Sequence, residues 1–351
     1  MVCAAVLLGA GSSTSAQQEI ELRAKARLFP DAPVGITALK SFGKSDARHY
    51  YVLTARGTMI LIYDAAGKLV QQFPPPLTGQ APNPEGARFQ YGEDFDIACP
   101  KLPGEPADAV PACFVYVADR GTNAIKVFSL DGTLVRTIPV VAPTSIAVLA
   151  EGEVAVATMR NSRLVAVYDR HGKLVREFGV LAEIVETPEL NRFLNIGHLA
   201  TDAAGYLYYS FSYLPDPTVR KYDRFGYAAM EMELTTLDSA PAAQVRRRQI
   251  ALLDEKRAGS RSFGTFKPSV AAIAVDADTQ EFWLGADALL MHFAPDGTRV
   301  GLYRLFTAEG ARIEPSAILV EPGRLLIASD TLGVFEFACP ERSRAARPAK
   351  R

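Results

Sequence analysis

Five stretches of the chain share one alternation of apolar and polar positions: ILIYDAAGKLVQQF (60 to 73), IKVFSLDGTLVRTI (125 to 138), LVAVYDRHGKLVREF (164 to 178), VRKYDRFGYAAMEMEL (219 to 234) and LMHFAPDGTRVGLYRL (290 to 305). In each, an apolar run meets a short polar turn ending in glycine, and a second run follows. Gly67, Gly132, Gly172, Gly226 and Gly297 fall where a tight turn needs a positive φ, so each stretch predicts a β-hairpin. Upstream of the hairpins lie two more short apolar runs, as in SIAVLAEGEVAVATMR (145 to 160), HLATDAAGYLYYSFSY (198 to 213) and AIAVDADTQEFWLGAD (272 to 287).

Four strands per unit, repeated, predict an all-β, six-bladed β-propeller. A sixth unit, SAILVEPGRLLIASDTLGVFEFA (316 to 338), supplies only three strands. The period-2 pattern of IELRAKARLF (20 to 29) predicts an N-terminal strand that completes this last blade and closes the ring, removing an exposed edge. The units resemble NHL repeats, most clearly in VYVADRGTNAIKVFSLDGTLVRTI (115 to 138), where Asp119, Asn123, Ile125, Phe128 and Gly132 fall on the family's pattern. Blade 3 departs from it, with Met159 where blade 2 has Asp119. The resemblance implies the architecture and is nearly silent on activity, because such propellers include interaction scaffolds as well as hydrolases and lyases.

Spacing separates the two faces of the ring. From each hairpin glycine to the first strand of the next blade (Ile97, Ile146, Leu199, Ile273, Ile318) the gaps are 30, 14, 27, 47 and 21 residues. The extra residues concentrate in connections between blades, and these emerge on the face where the first strand of each blade begins. Loops on a rigid scaffold are where binding residues collect. Three insertions build that face: 74 to 94, rich in Pro and Gly; 180 to 195, with room for a helical turn or two; and 236 to 266. In the last, Asp238 or Ser239 as N-cap, Pro241 and Gly259 predict a helix near 240 to 258, a helical insertion between blades 4 and 5.

Two sets of polar residues point to chemistry at this face. Just before the first-strand apolar position, blades 2 to 4 carry Asp96, Ser145 and His198, with Asp94 and Asn195 nearby. These form a candidate ligand constellation, or they cap channel backbone and hold water. After the second strand, three blades carry Arg56, Arg120 and Arg160, and blade 4 has Tyr213. Three guanidinium groups on adjacent blades form an arc suited to a carboxylate or phosphate. Structural pairing competes, since Asp119 is available to neutralise a neighbouring arginine.

Composition narrows the alternatives. With 351 residues and 48% hydrophobic content the chain fits one large domain, and a net charge of −1 removes any whole-chain argument for nucleic acid or an anionic membrane surface. No stretch approaches the roughly 18 apolar residues of a spanning helix. The run VCAAVLLGA followed by GSSTSA predicts a signal peptide over 1 to 16, although a positively charged segment before it is missing; the propeller then spans 17 to 340 and a disordered basic tail 341 to 351. Export places the protein in a secreted or periplasmic compartment, where Cys99 and Cys113, flanking a Pro-rich connection, are expected to form a disulfide. There is no nucleophile elbow, phosphate-cradling loop, HExxH or multi-histidine set.

Two functional expectations follow. The first is a monomeric binding protein, without cofactor or catalysis, that takes a small anionic ligand or a protein partner on the insertion-rich face through Arg56, Arg120, Arg160, Asp96, His198, Ser145 and Tyr213. The second is a hydrolase or lyase assisted by Ca²⁺ or another divalent ion, held by Asp96 and Asp94 at the channel mouth.

Overall fold

Each hairpin is built the same way, by an aspartate that organises the turn and a glycine that reverses it. Asp64, Asp131, Asp169, Asp223 and Asp296 accept backbone N–H groups two residues on, and in three of the turns four residues on as well. The five predicted glycines all have positive φ, between 81° and 93°. The computed structural model describes residues 19–43, 47–55, 57–74, 88–100, 111–213, 218–234 and 268–340. The signal segment, Arg56, the helix anticipated near 240 to 258 and the basic tail lie outside the described residues.

The strands assemble into six sheets, one per blade, and form a six-bladed β-propeller. The innermost strands are Ile36–Phe42, Gly92–Ala98, Pro143–Val148, Gly197–Thr201, Val270–Val275 and Ala317–Glu321. Between every two successive blades lies one apolar cluster, six in all. Blades 2 and 3 meet through Tyr116, Ile125, Val127, Ile146, Val154 and Val156, and blades 6 and 1 through Leu326, Val334, Ile36, Val52 and Tyr63. The core is thus a ring of interfaces, and apolar burial on both faces of each sheet drives its assembly.

The N-terminal segment differs from the single strand anticipated over 20 to 29. Ile20–Arg23 runs parallel to Arg299–Phe306 of blade 5, and Ala26–Leu28 runs antiparallel to Gly333–Ala338 of blade 6. The chain crosses between blades at Ala24 and Lys25, whose N–H groups donate to Phe306 and Glu336 carbonyls. Ala24 is buried in the apolar cluster between these blades, so the small side chain lets the segment drop from one sheet edge to the next.

Cys99 and Cys113 are bonded, with Cα atoms 4.0 Å apart, and no helix among the described residues is long and apolar enough to cross a membrane. The one α-helix among the described residues, Pro188–Leu194, lies in the connection between blades 3 and 4, where a helical turn or two was anticipated. Because residues 20 to 28 cover the outer edges of two blades, their deletion should lower the thermal unfolding midpoint and promote self-association. Calorimetry and size-exclusion chromatography check this; an unchanged, monomeric variant would contradict it.

Candidate functional site

The inner strands form a channel of about 210 Å³ whose walls come from all six blades. Most of its lining residues are apolar in type, with Leu199, Ile273 and Ile318 among the larger, although the surface they present is more polar than apolar, and an ion pair joins Lys40 Nζ to Asp96 Oδ1 at 3.6 Å. Each inner strand has one edge without a strand neighbour, so its backbone donors need side-chain or solvent partners. Asp96 Oδ2 accepts the N–H of Val148, and Asp94 Oδ2 accepts the Ile146 N–H and the Ser145 hydroxyl, at 2.8, 3.1 and 2.6 Å. Ser145 Oγ in turn accepts the N–H of Leu199 at 3.0 Å. A relay of side chains thereby stitches blade 2 to blade 3 and blade 3 to blade 4.

This network places Asp94 level with Ser145, and Asp96 one layer deeper. Pairing with the second strand sets this level: Asp94 lies opposite Ala118 as Ser145 lies opposite Ala157, so Phe95, and not Ile97, is the counterpart of Ile146. Counting back from Ile97 had put Asp96 at that level. Burial raises the pKa of Asp94 against the opposing effects of Lys40, Ser145 and two N–H groups. Burial works against the charge on Lys40, but Asp96 and Asp94 together hold its pKa above the ordinary value. All four oxygens of Asp94 and Asp96 accept hydrogen bonds within the protein, the remaining two from Phe95 and Ile97 N–H. They are poorly placed to supply the six or more oxygen ligands a Ca²⁺ ion takes, and among the described residues no three His, Cys, Asp or Glu side chains gather as a ligand set.

His198 lies on the inner strand of blade 4, opposite Ser210, where burial pushes its pKa down to about 4. It does not join the arginines.

Arg120 and Arg160 do come together. They line a cleft of about 400 Å³ on the insertion-rich face, with Met159, Glu189, Arg192 and Phe193 among its walls. Each is held by a different local device. Asp119 is fully buried and accepts the N–H groups of Gln90 and Tyr91, the Thr122 hydroxyl, and the Lys126 ammonium at 3.3 Å. Asp119 therefore pairs with Lys126, leaving Arg120 to donate to Glu93 Oε1 at 2.7 Å and to lie over the Tyr91 ring. Gly121 is required here, since a Cβ would approach the Gln90 and Tyr91 side chains to 2.8 and 3.0 Å. Arg160 is exposed, on a turn where Thr158 Oγ1 accepts the N–H groups of Arg160 and Asn161.

Sequence reasoning missed Arg192 and Phe193. Their helix begins after Thr187 with Pro at its first position, and two asparagines fix the chain leading into it. Asn191 Oδ1 accepts the Ile184 and Val185 N–H groups, and Asn195 Oδ1 accepts that of Ala182. Leu190 and Leu194 turn inward, and Tyr213 packs against Phe193 with ring centroids 5.3 Å apart. Burial pushes the Tyr213 hydroxyl up to about 12, so this residue backs the helix as a neutral wall. The motif TPELNRFLN carried the helix signal, but the direction in which Arg192 faces follows only from packing.

No family model matches the chain, the NHL repeat included, and no curated protein matches it either. Solved structures are similar in shape. A member of the DUF4221 family from Bacteroides vulgatus superposes with a TM-score of 0.55 at 11% identity, over 92% of this chain and 98% of that one. Virginiamycin B lyase from Staphylococcus aureus gives 0.47 at 12% identity, over 90% and 87%. The computationally designed Ika8 protein gives 0.40 at 15% identity, over 92% and 74%. The first of these agrees with the propeller fold, and at such identity the likeness is one of fold alone.

A pH dependence of stability follows from two desolvated histidines, His292 buried and His198 half-buried. His198 and His292 are both held at about 4 by burial, so between that value and about 6.5 the unfolded chain binds protons that the folded chain does not. Stability should be full above about pH 6.5 and fall as the pH drops toward 4. Urea unfolding across this range measures it, and His198→Gln should flatten part of the slope; a parent profile flat from pH 7 to 4 would contradict the assignment.

Proposed function

We propose that the protein is an extracytoplasmic six-bladed propeller that binds a small anionic ligand, without turnover, in the cleft between the turns of blades 2 and 3 and the helix that follows blade 3. One observation carries this reading: Arg120, Arg160 and Arg192, from three separate elements, line one cleft, and neither Arg160 nor Arg192 has a carboxylate partner among the described residues. Against these three cations stand Glu189 at the rim and Glu93, already engaged with Arg120. The balance is positive, and planar guanidinium groups suit carboxylate and phosphate oxygens through paired, charge-assisted hydrogen bonds.

The channel residues Asp96, Ser145 and His198 take no part in this reading, and the cleft walls are fixed by hydrogen bonds before any ligand arrives. Pre-organisation of this kind lowers the cost of binding. The Cys99–Cys113 bond supports an oxidising compartment, in keeping with the apolar N-terminal run.

Calorimetric titration with small carboxylates and inorganic phosphate at low salt tests the proposal. Each charge-assisted hydrogen bond contributes about 1.5 to 3 kcal/mol, so the double substitution Arg160→Ala and Arg192→Ala should weaken binding by ~10²-fold or more. Being at the surface, the two changes should alter stability by only about 0.5 kcal/mol each. Failure of every anion to bind, or equal binding by the double variant, would overturn the proposal; retention of a protein from native extract by the parent alone would favour a protein partner instead.

A further inference from the structure

The cleft has a second character that arginines do not explain. Met159 lies one residue past the second strand of blade 3, Val154–Thr158, whose pairing sets Thr158, rather than the Met159 that spacing suggested, level with Asp119 of blade 2. In blade 2 that aspartate is a structural lock, holding the turn at Gln90 and Tyr91, the Thr122 hydroxyl and the Lys126 ammonium at once. Blade 3 holds its turn at that level through the Thr158 hydroxyl, and the next residue, Met159, corresponds to Arg120 of blade 2. Met159 is apolar, half-buried and part of the cleft wall. Methionine is flexible and polarizable, and adapts to aromatic and irregular apolar surfaces.

Phe193 is the second apolar element, on the same wall as Arg192. Its ring is backed by Tyr213 and by the packed leucines of the helix, so it presents a fixed platform to the cleft. The opposite wall is fixed as well, because Asn123 Oδ1 accepts the Ala142 N–H at 2.9 Å. Glu189 lines the cleft beside the arginines and opposes a second negative charge on any occupant.

Resting on the anion-binding reading of this cleft, we infer that its ligand is an amphiphilic monoanion: a single carboxylate or comparable group on Arg160 and Arg192, carrying an apolar or aromatic body that lies between Met159 and Phe193.

Three probes decide it: 3-phenylpropionate, propionate, and the neutral 3-phenylpropan-1-ol, each titrated calorimetrically against the full-length protein. 3-Phenylpropionate should bind at least tenfold more tightly than either of the others. Met159→Ala and Phe193→Leu should each remove most of that advantage while leaving propionate binding within about twofold; the leucine keeps the helix packed, and circular dichroism verifies the fold. Equal binding of 3-phenylpropionate and propionate, still lost on Arg160→Ala, would overturn the amphiphile and leave the anion site standing. A preference that survives both apolar substitutions would also overturn it. If the alcohol binds as tightly as the acid, or if neither acid binds, the anion reading and this inference fall together.

Discussion

The innermost strand of each blade has an edge that no other strand covers, and closing a ring of six such edges around a narrow channel is the constraint from which the rest of the molecule follows. Backbone donors there need partners. Blade 2 supplies them through Asp94 and Asp96, which reach across to the N–H groups of Ile146 and Val148, and Ser145 repeats the gesture toward Leu199. Elsewhere the ring uses Ser316, whose hydroxyl donates to the Ile36 carbonyl across the junction of blades 6 and 1. These bonds set the height of one blade against the next. The turns bearing Arg120 and Arg160 consequently meet at one level, which is what makes a shared cleft between them.

Much of this was legible in the chain. The five Asp and Gly turns announce themselves by residue type, because aspartate caps and positive-φ glycines have few substitutes, and the long connections between blades mark one face. The Cys99–Cys113 bond was readable from a Pro-rich loop between two strands. What escaped has physical causes. The inner strand of blade 2 offers two alternating apolar positions, Phe95 and Ile97, and only its pairing makes Phe95 the counterpart of Ile146 and so puts Asp94 rather than Asp96 level with Ser145. The segment 20 to 29 alternates regularly, yet Ala24 is small enough to be buried between blades, and the strand divides there. Arg192 lies on a helix whose exposed face is chosen by Leu190, Leu194 and Tyr213, residues that sequence periodicity orders but does not orient.

One position followed around the ring shows how a repeat acquires a site. At the end of the second strand, blade 2 uses a buried aspartate to hold its own loop and blade 3 uses Thr158, and the residue that follows, Arg120 in one blade and Met159 in the other, lines the cleft. The same framework thus gives the cleft a guanidinium from one blade and an apolar side chain from the next, and the departure from the repeat is the more informative of the two. The channel's polar residues follow the opposite logic: Asp94, Asp96 and Ser145 look like chemistry in the sequence and are consumed by backbone.

The central claim is that the cleft beside Met159 is where a ligand enters, and methionine methyl NMR reports on that directly. The chain has six methionines, and of those described Met291 is buried between blades 4 and 5 while Met159 lines the cleft. With methyl-labelled methionine and a titration of 3-phenylpropionate, the Met159 resonance should shift progressively to saturation while that of Met291 stays in place. Saturable shifts at other methionines with Met159 unmoved would contradict the account.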